Sequence, residues 1–356
     1  MLVIQKLTGR VFGSAKGVGG NPVTIFMGIA APLSDAFEQS LARSCQWESA
    51  FVFLPKEAED DSSSSSSSHA SSSFPQFKFY APSGQKMSLC FHAAMGASYA
   101  VAKHYPNLIT TPMEASSMSA STNNCSKVVS FQIANASDER VYGAHIQPDD
   151  TVLLDLPKVP YQQSRLPLEN AESFLEQVGV DIAEISELPF NAGISGRMKS
   201  MIPLPLEVLQ TKVKNPSFSK YFEDACLLSD NSTGLYLFSE TSDDKEDIKD
   251  DNGDTIMAIF ECRQFPKKSG YPEDPATGIA AAALAVNTHR RRHLRMNLPN
   301  ASFQFRQGTA MGRPSLITIR NIQYHEDDAN QTKKVQIVSL QCGGRVEIDD
   351  EETLTF

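Results

Sequence analysis

Glu273-Asp274-Pro275-Ala276-Thr277-Gly278 runs directly into Ile279-Ala280-Ala281-Ala282-Ala283-Leu284-Ala285-Val286. The stretch after Gly278 has helix-favouring composition yet no polar side, and a helix without a polar face must be enclosed. Side chains this small let strands approach from all directions. A second stretch reads the same way: Leu89-Cys90-Phe91-His92 leads into Ala93–Ala102, again small and apolar all round. The sequence therefore calls for two enclosed helices, one in each half, each preceded by strands and by a short polar signature. That is an internal duplication of architecture.

Outside these stretches the chain is mainly strand-like. Val3–Leu7, Val23–Met27, Val128–Ile133, Val152–Leu156, Leu316–Ile319 and Val335–Leu340 have the composition of strands. Asp35 and Glu38 make a capping-box-like pair ahead of Phe37 and Leu41, which predicts a surface helix from about Asp35. Another follows Pro167, with Leu168, Ala171, Phe174, Leu175 and Val178 on one face. The fold class is α+β. A length of 356 residues favours two domains. Gln147-Pro148-Asp149-Asp150 marks a turn at the expected boundary, giving domains over 1–145 and 146–345. Three polar stretches lie between β-like runs and read as loop insertions. They are a serine tract over 57–73, a Ser/Thr/Asn-rich run over 115–124, and an acidic run over 241–254 that ends on the hairpin signal Asn252-Gly253-Asp254.

Charge and cysteine usage exclude several classes of function. A net charge of −10 opposes binding to nucleic acid or to an acidic membrane. The local exception, Arg290-Arg291-Arg292-His293-Leu294-Arg295, reads as the solvated end of a helix, where the dipole favours cations. No run approaches the ~18 apolar residues that span a bilayer, and the start does not resemble a secretory signal. The six cysteines (45, 90, 125, 226, 262 and 342) include no C-x-x-C pair. Reduced thiols and a cytoplasmic location are the expectation.

Three polar elements carry the candidate chemistry. A helix N-terminus has unpaired N–H groups and a partial positive charge, so both enclosed helices can hold a carboxylate. Pro275 and Gly278 shape the sharp entry to the second. Asp274 also fits an ordinary N-cap, and His92 a satisfied core histidine. In Gln46-Trp47-Glu48-Ser49-Ala50-Phe51-Val52 an acid enters an apolar strand. A carboxylate desolvated there suits general acid–base work, and one at the strand edge simply reaches solvent.

In order along the chain, these motifs resemble those of the PhzF-like (phenazine biosynthesis-like) isomerases, which have the diaminopimelate-epimerase fold. The family's early Gly-Asn-Pro stands as Gly20-Asn21-Pro22, and its Glu motif as Trp47-Glu48-Ser49-Ala50-Phe51-Val52. Its Cys-Gly-His-Ala-Thr stands as Cys90-Phe91-His92-Ala93-Ala94. The long signature appears as Arg263-Gln264-Phe265-Pro266, then Gly270 and Glu273 through Ala280. Gln307-Gly308, Gly312-Arg313, Ser315 and Gly343-Gly344 complete the set.

The resemblance implies two similar domains, each a curved mixed β-sheet wrapped around a central buried helix, with residues 346–356 returning to the first. It implies a cofactor-independent isomerase moving a proton on a small carboxylic acid bound between the domains, with no metal, nucleotide or redox cofactor, and a homodimer. Glu48 would be the catalytic acid/base. His92, Asp274, Thr277, Gly278, Gly20 and Asn21 would bind substrate. Three positions depart from the pattern: Phe91 replaces a glycine, Ala94 a threonine and Ile279 a serine. They imply a smaller or less polar pocket, and leave open an inactive scaffold that binds a small molecule or a protein. A two-thiol epimerase mechanism is disfavoured. Cys90 fits the first thiol position, but Thr277 occupies the second.

Overall fold

A computed structural model describes all residues except Met1, 30–32, 56–72, 110–126, 135–139, 157, 217–231, 242–254, 268–270, 297–300 and 328–333. Nearly all of the serine tract, the Ser/Thr/Asn-rich run and nearly all of the acidic run, with its Asn252-Gly253-Asp254 turn, lie outside the described residues. The chain is a mixed α/β structure, mostly strands with few helices. It divides into two compact units: Met1–Val11, Pro22–Leu154 and Val346–Phe356 form the first, and Phe12–Asn21 with Asp155–Arg345 the second. The turn at Gln147–Asp150 closes a hairpin inside the first unit, whose chain runs on to Leu154.

The first unit is built from β1 (Val3–Gly13), β2 (Asn21–Ile29), α1 (Asp35–Arg43), β3 (Ser49–Phe53), β4 (Gln76–Tyr80) and the short β5 (Lys86–Met87). Then come α2 (Phe91–His104), β6 (Lys127–Ile133), β7 (Val141–Ile146) and β8 (Thr151–Asp155). β2 and β3 are parallel, β3 and β4 antiparallel, β4 and β6 parallel across α2, and β6–β7–β8 antiparallel. The last residues of the chain pair with β1, where Leu2 and Phe356 exchange both backbone hydrogen bonds. α2 is buried on almost every side, as its composition requires. Gly96 explains how closely it is held: a Cβ there would stand 3.1 Å from Val23 and 3.3 Å from Ile25.

The second unit repeats this order. β9 (Val159–Arg165), α3 (Leu168–Gln177), β10 (Phe190–Ile194), β11 (Arg197–Pro203), α4 (Leu206–Thr211), β12 (Gly234–Glu240) and β13 (Thr255–Pro266) precede α5 (Gly278–Met296). β14 (Ala301–Gln307), β15 (Ser315–Asp327) and β16 (Lys334–Thr355) follow, β16 passing into the first unit after Arg345. β11 and β12 are parallel, β12 and β13 antiparallel, β13 and β14 parallel across α5, and β14–β15–β16 antiparallel. These are the pairings of the first unit in the same sequence. β16 also pairs with β9, and β9 with β10, so the strands close on themselves. One sheet face carries Leu235, Leu237 and Phe265 into a core with Phe174 and Leu175 of α3 and Leu209 of α4. The opposite face of β13 carries Phe260, stacked at 5.1 Å on Phe305 of the neighbouring β14.

One local expectation needs correcting. The side chain that caps α1 is Ser34, which accepts from the Phe37 N–H, and Asp35 is the first helical residue. Glu38 makes no capping box. It is fully buried, and its carboxylate accepts from Lys78 Nζ at 2.8 and 3.0 Å and from the Tyr80 hydroxyl at 2.5 Å. A long-range ion pair in the core has claimed the side chain that the local pattern assigned to the helix start.

That cluster makes a prediction for alkaline stability. Burial, then the Glu38 hydrogen bond and charge, push the Tyr80 phenol well above its ordinary value. Burial raises Tyr161 to about 12, against the lowering effect of Asn287 and Arg290. Both folded-state values are raised, so their stabilisation is complete below the unfolded tyrosine value of about 10. It is lost as pH climbs from there through the folded values. The thermal midpoint should fall steadily above pH ~10, and less steeply in Tyr161→Phe. A midpoint independent of pH in that range would contradict the assignment.

Candidate functional site

In the first unit, Glu48 enters β3 with 5% exposure, its carbonyl accepting from the Thr24 N–H at 3.1 Å. Its Oε2 lies 3.8 Å from His92 Nε2. That is beyond a hydrogen bond but within ion-pair reach of a protonated imidazole. His92 belongs to the first turn of α2, whose N-cap Cys90 supplies no side-chain cap. The first-turn N–H groups therefore keep their partial positive charge beside the carboxylate and imidazole. The Cys90 sulfur is 3.4 Å from His92 Nδ1 and 3.9 Å from Nε2. Such nearly equal distances place it over the ring, not in line with the Nδ1 lone pair. Phe91 and Ala94 are buried in the same helix start.

In the second unit, Asn21, Asp274, Thr277 and Gly278 come together. Asn21 Nδ2 donates to Asp274 Oδ1 at 2.8 Å and to the Ala276 carbonyl at 2.7 Å. Asp274 Oδ1 also accepts from the Ala276 N–H, and its Oδ2 from the Thr277 hydroxyl at 2.7 Å. Each carboxylate oxygen is thus engaged, as a capping role requires. The Thr277 carbonyl accepts from Ala280 and Ala281, which leaves the N–H groups of Gly278 and Ile279 at the open start of α5. Gly20, with φ +89°, delivers Asn21 to this turn. Ile279 is buried, so the position that lost a hydroxyl is occupied by packed hydrocarbon.

Two supports of this turn had no assigned role in the sequence reading. Gln307 Nε2 donates to the Asp274 carbonyl at 2.6 Å and to Thr277 Oγ1 at 3.1 Å, while its Oε1 accepts from the Thr277 N–H. Arg263 forks onto Glu273 through Nε at 2.9 Å and one terminal nitrogen at 2.8 Å. It also donates to the Val213 carbonyl and to Asn215. The signal was present in each case as a fully polar side chain inside an apolar strand, but its partner lies far away in sequence.

Residues 245–339 match the family model described as phenazine biosynthesis-like protein. Over this segment the chain is similar to that family. The matched segment contains the Arg263–Gly278 signature and Gln307 but stops short of Glu48 and His92. No curated protein matches the sequence. Among solved structures, the chain is similar to the Bacillus anthracis phenazine biosynthesis protein of the PhzF family, with a TM-score of 0.66, 15% identity and all of both chains covered. It is also similar to a predicted epimerase from Pseudomonas aeruginosa, at a TM-score of 0.62, 17% identity and 99% of each chain. A hydroxyproline epimerase from Agrobacterium vitis, with bound trans-4-hydroxy-L-proline, matches at 0.50 with 13% identity, over 99% of this chain and 91% of that one. At such identities these likenesses establish the PhzF-like fold. No helix among the described residues is long and apolar enough to cross a membrane.

Proposed function

We propose that this PhzF-like chain is a cofactor-independent isomerase that moves a proton on a small carboxylic acid, with Glu48 as the acid/base group. The observation that carries the reading is the buried Glu48–His92 pair at the uncapped start of α2. A desolvated carboxylate beside an imidazole can take a proton from carbon and return it. The N–H groups of the helix start offer the electrostatic complement for a substrate carboxylate and for charge that develops next to it. Asn21, Asp274, Thr277 and Gly278 are proposed to fix substrate polar groups. Asp274 serves mainly by holding the α5 entry open, because its own oxygens are already engaged.

A second reading keeps the scaffold without catalysis, as a protein that binds a small molecule or another protein. Phe91 in place of a small residue, and the hydrocarbon of Ile279, favour it. The two separate on turnover. Small hydroxy, amino and unsaturated acids, starting with trans-4-hydroxy-L-proline because a protein of the same fold holds it, would be incubated with the protein and resolved by chiral chromatography. Conversion should occur for at least one acid and fall by about 10²–10⁴-fold in Glu48→Gln, the usual worth of a general base. Saturable binding across the panel with no conversion would favour the scaffold reading.

A further inference from the structure

We propose that the second unit carries another small-molecule site, for an aromatic carboxylate, along the C-terminal half of α5. Upstream of Val286 this helix is apolar on every side and packed throughout. Beyond it, Leu284, Asn287, Thr288 and Arg291 recur at the i, i+3, i+4, i+7 spacing of one helix face. They face a cavity of about 560 Å³. Asn287 donates to the Tyr161 hydroxyl at 3.4 Å and Thr288 to the Leu284 carbonyl at 2.9 Å, so this polar wall is held in place by the fold itself and Arg291 reaches out from it to solvent. The volume lies within the range of small-ligand pockets, roughly 300–1,000 Å³. At 1.5 Å per residue, Thr288 stands about 15 Å along the helix from Gly278. The cavity is therefore separate from the α5 N-terminus.

The walls set the ligand's chemistry. Phe190, Phe238 and Phe260 line the cavity in an edge-to-face series, with centroids 6.2 and 6.0 Å apart and planes at 68° and 72°. Phe260 is already stacked on Phe305, so a flat ring would meet this wall mainly through the edges of Phe190 and Phe238. At the rim, Arg291 meets Glu187 at 3.2 Å, with side chains 63% and 61% exposed. A pair so exposed is weak and readily exchanged for another carboxylate, to which guanidinium can present two parallel donors. Arg292 is different: it is committed to Glu240 and to the Met257 carbonyl. One available guanidinium above an aromatic floor selects a single acid group on a ring system.

Isothermal titration of the full-length protein with 2-naphthoate tests this, with uncharged 2-naphthylmethanol as the paired probe. The expected result is saturable binding of one naphthoate per chain, at least tenfold weaker for the alcohol, for Arg291→Glu and for Thr288→Trp, whose indole takes up part of the cavity. Glu48→Gln should bind like wild type. Backbone amide shifts should cluster on Phe190, Phe238, Phe260 and Asn287. Arg291 is on the exposed rim, so its variant reads the site even if Thr288→Trp fails to fold. Absence of saturable binding to wild type, affinity unchanged by Arg291→Glu, or shifts clustered elsewhere would each overturn the proposal.

Discussion

Arg263→Met should lower unfolding stability by about 3–5 kcal/mol, the usual cost of stranding one member of a buried ion pair. Glu273 is 1% exposed and Arg263 8%, so neither charge can recover solvent when the other is removed. The substitution also frees the Val213 carbonyl and Asn215, which lose their donors. The double variant Arg263→Met/Glu273→Leu should recover much of the loss, because no unpaired charge remains buried. Denaturant melts of the two single variants and the double variant measure this directly. A single-variant loss below ~1 kcal/mol would place the pair in the weak class of solvated bridges. The expected consequence at the site is local: the segment Glu273–Gly278 loses its side-chain tie to β13 and keeps the backbone bond from Asp274 to Gln264 ahead of the α5 start.

Gly308→Ala should be comparably severe, for a steric reason. Gly308 has φ +78°, where an L side chain costs about 1–2 kcal/mol. An added Cβ would collide with the Arg313 carbonyl and stand 2.8 Å from the Pro275 carbonyl. Both obstacles are backbone and cannot swing away, so overpacking adds about 1–3 kcal/mol. Its neighbour Gln307 holds Asp274 and Thr277, so a shift at Gly308 should displace the α5 entry as well as destabilise the unit. Thermal melts, with hydrogen exchange at Thr277, Ala280 and Ala281, would show both effects. A variant with wild-type melting and unchanged protection at these amides would refute the packing argument.

Both predictions concern one turn, and that turn was the most legible part of the sequence. Alanine-rich, faceless helices can be stable only inside a shell, so Ala93–Ala102 and Ile279–Val286 announced the two central helices without any long-range information. Their ends were harder. α5 continues through the arginines to Met296, because each described arginine finds a partner: Arg290 over the Tyr161 ring, Arg291 with Glu187 and Arg292 with Glu240. Glu38 shows where local pattern fails. Its spacing from Asp35 imitates a capping box, but Lys78 and Tyr80 are contacts that only the folded chain supplies. Phe12–Asn21 fails for the same reason, since nothing local shows that a segment so early in the chain belongs with residues beyond 155. Glu48, His92 and Asp274 stand out in the sequence as polar residues at the edges of apolar runs, and their roles are the proposal made above. What the sequence could not show is that Asp274 already spends its oxygens on Asn21, Ala276 and Thr277.

The central claim is that Glu48 moves a proton on carbon. Its most direct measurement is wash-in of solvent deuterium at the carbon next to the carboxylate of an acid the protein binds, followed by proton NMR in deuterated buffer. The account predicts incorporation with wild type, and a loss of about 10²-fold or more in Glu48→Gln, with ligand affinity largely kept. Incorporation at the wild-type rate in Glu48→Gln would contradict it.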